Sequence, residues 1–386
     1  MTAWIDGQAV ARDEAVAAAA ALLTGARSPV FAGLCAEAAS VQAAFDLARA
    51  IGASLDPAAG SALYADLGAL ASGGAMTTTP AEARGRADLV LVVGAAPWTS
   101  EMVSELAAGG PVRGRAAGRS RTLLALGGAG AGAVQPVAYP AGEAGVAAAI
   151  GLLRGLAGGR IAGPHPLADL VVRLREALYG VVLYDPGEIG ALGAEMLNGL
   201  VKDLNETTRC FALPLGDACQ GRAVAQVAAW STGQGPRVGF GRGRPEHDPW
   251  RFDAERQAAA GEIDAALWLA SLPAPLPAWT RTVPTVALLG APKGDEARVV
   301  IGVGVPGEAF GAALWHPRRA AIAWHESRYE SRQDSGQDSG QGPPQDTRPD
   351  PGSPQPGLSP AAAILADLQA RLAASPASNP ERSASC

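Results

Sequence analysis

The sequence predicts an α/β protein built as doubly wound, mostly parallel sheets in two Rossmann-like domains. Three observations carry this. Extended apolar runs alternate with helical ones along most of the chain, the clearest run is apolar at every position, and 48% of the 386 residues are apolar. Such alternation is the βαβ rhythm of a parallel sheet with helices on both faces. A strand covered on both faces has no polar side, so it reads as an unbroken hydrophobic run. A chain of this length has enough apolar surface for more than one core.

The elements follow in order. Ala11 to Leu23 predicts a helix, and Ser28 to Gly33 a buried strand ending in glycine. Glu37 to Ile51 places Val41, Ala44, Phe45, Ala48 and Ile51 at helical spacing. Ala87 to Gly94 is the clearest strand, stopped by Gly94 and Pro97, and Arg121 to Leu126 and Gln135 to Tyr139 predict two more. Between them, Arg113 to Arg121 holds four arginines among small residues and predicts an exposed loop. Beyond the Gly-rich stretch Gly155 to Pro164 come a helix (Leu167 to Leu178), a strand (Gly180 to Tyr184), a helix (Glu188 to Asn205), a strand (Thr207 to Pro214) and a helix (Cys219 to Trp230). Gly233 to Pro249 predicts a long loop. Asp264 to Ala270, Thr282 to Leu289 and Arg298 to Val305 predict three closing strands.

This gives a first domain over 1–158 and a second over 159–330, with the option that the last strands return to the first. Residues 331–357 are expected to be a disordered linker, because the tandem Gln-Asp-Ser-Gly repeat from Gln333 to Gly340 and the Pro-rich run to Pro356 cannot bury apolar surface. A helix is expected within 358–375: Ser359 caps it, Pro360 sits in the first turn, and Leu365, Leu368 and Leu372 share a face. It is either a docking element or a terminal helix packed on its own domain.

Composition narrows the function. The net charge of −6 offers no basic surplus for nucleic acid or anionic membrane. No window is long enough for a membrane span without Gly, Pro or charge, and Met1 to Gly7 lacks the basic and apolar regions of a signal peptide. Four cysteines (Cys35, Cys210, Cys219 and Cys386) without C-x-x-C spacing are not a secreted disulfide framework. A cytoplasmic protein is expected.

The motifs point away from catalysis. Gly128 to Ala133 matches G-x-G-x-x-A, but Val134 to Val137 does not start the helix whose N–H groups would hold a pyrophosphate, so it reads as a loop. His316, His325, Glu326 and Glu308 lack the short, regular spacing of a zinc site, and Tyr329 stands where H-E-x-x-H needs histidine. His165 and His247 lie beside prolines with no partner in sequence. There is no G-x-S-x-G elbow and no P-loop. Asn205 to Thr208 is helix-to-strand turn chemistry, and Arg242 to Pro245 a basic loop.

Three stretches resemble the B-type subunit of formylmethanofuran dehydrogenase, within the molybdopterin oxidoreductase superfamily. The first is Ala87 to Gly94 with Pro97. The second is Asn198-Gly199, Leu204-Asn205, Thr208-Arg209 and Leu213-Pro214. The third is Thr232-Gly233, Pro236 to Phe240, Arg242 to Pro245, Asp248-Pro249 and Glu262 to Ala265. The resemblance spans roughly Ser28 to Val305. It implies the fold of a molybdopterin oxidoreductase large subunit and, in active members, a tungsten or molybdenum pterin fed by an iron–sulfur cluster. That chemistry needs thiolates. Here no cysteine precedes Cys35, the stretch matching the family's metal-ligating cysteine reads Ser61-Ala62-Leu63-Tyr64-Ala65-Asp66, and the Asn of the family's G-x-N-P loop is Ala96.

The sequence therefore resembles the cofactor-free version of this subunit in the formyltransferase/hydrolase complex of methylotrophic bacteria. The resemblance implies a non-catalytic structural subunit beside three others: an amidohydrolase-like one of A type, one of C type, and a formyltransferase of D type. That complex releases formate from a formylated tetrahydromethanopterin through a methanofuran analogue. The alternative is an active pterin-dependent formylmethanofuran dehydrogenase subunit. No catalytic, cofactor-binding or metal-ligating residue is expected, and no cofactor. Arg209, Asp217, Arg242 and Asp248, in or beside the most family-like stretches, are the residues to watch for a hidden role. Their expected work is to shape loops and pair charge at a subunit contact.

Overall fold

A computed structural model describes residues 3–130, 132, 134–216, 218–327 and 358–374. In chain order the elements are β1 (Ala3–Ile5), β2 (Gln8–Ala9), α1 (Arg12–Gly25), β3 (Pro29–Cys35), α2 (Ala38–Ile51), β4 (Ser54–Pro57), α3 (Gly60–Gly73), α4 (Pro80–Arg86), β5 (Leu89–Val93), α5 (Glu101–Ala107), β6 (Thr122–Leu126), β7 (Val137–Tyr139), α6 (Gly145–Ala157), α7 (Ala168–Glu176), β8 (Gly180–Tyr184), α8 (Pro186–Leu204) and β9 (Cys210–Pro214). Then come α9 (Gly221–Thr232), β10 (Val238–Gly239), β11 (Glu246–His247), α10 (Ala254–Ala259), β12 (Ala265–Ala270), β13 (Thr285–Leu289), β14 (Val299–Gly302), β15 (Ala312–His316), β16 (Ala321–His325) and α11 (Ala361–Ala374).

The described residues form two compact units. The first lies within Met1–Gly60, Ala218–Trp315 and Ile322–Cys386, the second within Ser61–Asp217 and His316–Ala321. In the second unit five parallel strands run in the order β7-β6-β5-β8-β9. Leu89, Leu91 and Val93 face one core while Val90 and Val92 face another, which is why β5 has no polar side. The first unit has nine strands in the order β11-β10-β4-β3-β12-β13-β14-β1-β2. The five central strands, β4 to β14 in that order, are parallel. Both margins are antiparallel ribbons. Phe31 of β3 packs on one side of this sheet and Val30 and Ala32 on the other.

The α/β class, the parallel centres and the two-sided burial agree with the sequence reading, but the division at residue 158 does not. β5 and β6 lie before that point and β8 and β9 beyond it, yet they share one sheet. β12 to β14 do return to the sheet begun by β3 and β4. The second unit is thus an insertion in the first. Arg121 also departs from expectation. It is no exposed loop residue: its Nε donates to Ala87 O (2.7 Å), its Nη1 to Leu106 O (2.7 Å) and Gly109 O (2.5 Å), and its Nη2 to Arg84 O (2.6 Å). Those carbonyls end neighbouring elements, so one guanidinium satisfies acceptors that would otherwise be orphaned.

The C-terminal helix α11 packs on its own unit rather than standing free. Ala361, Ile364, Leu365 and Leu368 are buried in the core that also holds Val16, Val41 and Phe45. Ala362 N donates to Ser40 Oγ (2.8 Å), and Arg371 pairs with Asp13. The expected linker at 331–357 lies outside the described residues.

Candidate functional site

The third family-like stretch folds into a hairpin on the margin of the nine-stranded sheet. Val238 pairs with Leu55 of β4 on one side and His247 of β11 on the other. At its root, Arg237 is buried. Its Nε donates to Asp56 Oδ1 (2.7 Å), its Nη2 to Asp56 Oδ2 (3.4 Å) and Asp253 Oδ2 (2.7 Å), and its Nη1 to Pro249 O (2.6 Å). Asp56 Oδ2 also accepts Ala254 N (2.9 Å), and His247 Nδ1 sits 2.7 Å from Arg237 O. Burial pushes the Asp56 carboxyl up to about 6, although the Arg237 guanidinium pulls the other way. A Cβ at Gly60 would lie 2.9 Å from both Arg237 Nη2 and Asp56 Oδ1, so the first residue of α3 has no room for a side chain.

The tip of the hairpin is built differently. Arg242, Arg244 and Arg251 gather round the one carboxylate of Glu246 at 3.2, 3.6 and 3.5 Å. Asp248 Oδ1 accepts the N–H groups of Trp250 and Arg251, both at 2.9 Å. The Arg251 N–H, above all, holds that carboxyl below its ordinary value. Trp250 carries the guanidinium of Arg256 over its ring at 4.3 Å and is 70% exposed.

In the second unit, ligands of a doubly wound sheet would enter outside the carboxyl ends of the strands, where strand order reverses. That point lies between β5 and β8. Here Glu188, in the first turn of α8, reaches across to the loop after β5. Its Oε1 accepts Ala95 N (2.7 Å) and its Oε2 accepts Ala96 N (2.9 Å). Gly94 has φ +87°, and a Cβ on it would stand 2.3 Å from Glu188 Oε2. The loop that resembles the family's pterin loop is therefore filled by a carboxylate of the chain itself. Ser61 to Asp66 lies in α3, where Asp66 Oδ1 accepts the Tyr184 hydroxyl (2.7 Å).

The remaining residues singled out by sequence do not converge. Cys35 and Cys210 are buried in β3 and β9, and burial pushes the Cys210 thiol up to about 12, the opposite of a metal-ligating thiolate. Arg209 is exposed before β9, giving its carbonyl to Gly180 N (2.8 Å). Asp217 lies outside the described residues. His165 Nδ1 accepts Leu167 N (3.1 Å). His316 and His325 sit on the two-stranded sheet of β15 and β16. Asn205 accepts Cys210 N (3.3 Å) and Thr208 donates to Ala177 O (2.6 Å), as turn chemistry requires. The described part of Gly128 to Ala133 leads into β7, not into a helix. Among the described residues no group of three or more His, Cys, Asp or Glu stands together to hold a metal ion.

Two open depressions among the described residues lie at the amino ends of strands, opposite the carboxyl ends where ligands of such sheets enter. One, about 830 Å³, is lined by Asp6, Arg281, Asp295 and Arg298 at the amino ends of β13 and β14; the other, about 390 Å³, by Asp88, Thr122 and Arg173 at the amino ends of β5 and β6. No described helix is long and apolar enough to cross a membrane. Buried and, for Cys210, held protonated, Cys35 and Cys210 do not fit thiolate ligands to a metal or a cluster. The third family-like stretch builds a charged surface hairpin anchored to a sheet.

No protein-family model matches the chain. Over 331 residues it is 56% identical to the B-type subunit of the formyltransferase/hydrolase complex Fhc from Methylorubrum extorquens, covering 85% of this chain and 91% of that protein. It also superposes with TM-score 0.86 and 52% identity on a chain of the crystal structure of the formyltransferase/hydrolase complex FhcABCD from Methylorubrum extorquens in complex with methylofuran, covering 96% of this chain and 98% of the other. The chain belongs to the family of B-type subunits of the formyltransferase/hydrolase complex.

Proposed function

We propose that this chain is a non-catalytic structural subunit of a cytoplasmic formyltransferase/hydrolase complex in one-carbon metabolism. Its partners are the amidohydrolase-like subunit of A type, the subunit of C type and the formyltransferase of D type. The complex releases formate from a formylated tetrahydromethanopterin by way of a methanofuran analogue, and this subunit supplies surface rather than chemistry. One observation supports the structural role above others: the buried arginine of the third family-like stretch and the loop of the first are spent on internal contacts. Arg237 is consumed by Asp56, Asp253 and Pro249 O, and the loop at Gly94 to Pro97 by Glu188. No charge is left there to meet a pterin or a developing negative charge. Elemental analysis of the anaerobically purified complex tests this. Tungsten, molybdenum and iron are expected far below one per chain; near one tungsten or molybdenum per chain overturns the reading in favour of an active dehydrogenase subunit.

A further inference from the structure

We propose that the hairpin tip around Trp250 is the surface by which this subunit docks a companion subunit, and that the face it meets is acidic with a recess for an indole. The inference rests on the structural-subunit reading and gives it a location.

Three guanidiniums share one carboxylate at Glu246, which is itself mostly covered, while the side chains of Arg242 and Arg244 are 66% and 75% exposed. One carboxylate cannot use the five N–H donors of each arginine. The group carries an excess of positive charge and outward-facing donors, on a chain whose net charge is −6. Carboxylates on the other side are the complement. Beside them Trp250 is exposed yet fixed. Its backbone N–H is held by Asp248 and its backbone carbonyl accepts Arg256 Nε (2.9 Å), while its ring is held under that guanidinium. Arg256 is locked in turn by Glu262 at 2.7 and 2.5 Å. One face of the ring is used by the chain's own Arg256, and most of the rest stays in water beside three arginines. Preset in this way, it loses little freedom on binding, and tryptophan and arginine together are the residues that dominate interface energetics. A phosphate polymer would also take arginine and tryptophan, but the overall negative charge repels it. A protein face is favoured.

The full-length chain is co-expressed with the other three components of the complex from its host, and assembly is read by size-exclusion chromatography with light scattering. Hydroxyl-radical oxidation of Trp250 is compared between the complex and the isolated chain. Trp250 is expected to be protected in the complex. Trp250→Ala and Arg244→Glu are each expected to weaken assembly about tenfold or more, while the isolated variants melt within about 2 °C of the unmodified chain, as exposed sites should. If the unmodified chain assembles but Trp250 is oxidised equally in both states and Arg244→Glu assembles normally, the docking surface is wrong and the structural-subunit reading stands. Specific binding of a single-stranded oligonucleotide, lost in Arg244→Glu, also overturns the surface assignment. If the unmodified chain joins no complex, both readings fail.

Discussion

Arg237 and Arg244 belong to one hairpin and do opposite work. Arg237 is buried at the root, where two carboxylates and a carbonyl take its guanidinium. Arg244 stands in water at the tip, 3.6 Å from a carboxylate it shares with two other arginines. The difference teaches that a family-like motif rich in arginine need not be a site. Burial converts the first arginine into architecture, because a desolvated charge must be paired where it stands. Exposure leaves the second free to meet something outside the chain.

The largest expected effect breaks the root. Arg237→Ala leaves Asp56 and Asp253 without their cation and is expected to cost about 3–5 kcal/mol at neutral pH, measured by urea unfolding of the isolated chain. Next, Gly60→Ala forces a methyl to within 2.9 Å of Arg237 Nη2 and Asp56 Oδ1. That guanidinium is held from several sides and cannot swing away, so about 1–3 kcal/mol should be lost.

The same root has a pH signature. The folded chain holds the Asp56 proton more tightly than the unfolded chain, with a folded value of about 6 against 3.8. Stability from this group is therefore present at low pH and is lost as pH rises through about 6. Unfolding measured from pH 4 to 7 should show that slope in the unmodified chain, and Asp56→Asn should flatten it.

The smallest effects lie at the tip. Asp248→Ala removes the acceptor for Trp250 N and Arg251 N and should cost about 0.5–2 kcal/mol, the range of a lost cap. Arg242→Ala, on an exposed side chain, should stay within about 0.5 kcal/mol of the unmodified chain. A root and tip of equal sensitivity in unfolding experiments would erase the distinction between them.

Much of the fold was legible because its signals are local. Leu89 to Val93 is apolar throughout since both faces are covered, and the helix expected from Glu188 is α8, which starts two residues earlier at Pro186 behind the Asp185 cap. The hairpin of β10 and β11 was not legible. Two-residue strands in a Gly/Arg/Pro stretch have no period, and their partner β4 reads Ser-Leu-Asp-Pro. The boundary at residue 158 failed for a related reason: β5 and β8 are neighbours although β6, β7, α6 and α7 intervene in the chain, and no window of sequence contains both. The same distance hid the lock itself, as Arg237 meets Asp56 across 181 residues. Glu188 on Ala95 and Ala96 spans about as much chain as β5 to β8 does, and its only sequence trace is a glycine at residue 94, which needs φ +87° and no side chain.

The central claim is that no polar side chain of this subunit takes part in the chemical step. Turnover per intact complex, measured after size-exclusion chromatography, tests it most directly with Arg209→Ala, Asp217→Ala, Arg242→Ala and Asp248→Ala in turn. Any loss of activity should follow the loss of assembled complex, with turnover per complex unchanged. A variant that assembles fully and still loses about a hundredfold in kcat, the low end for a removed acid–base group, would contradict the account.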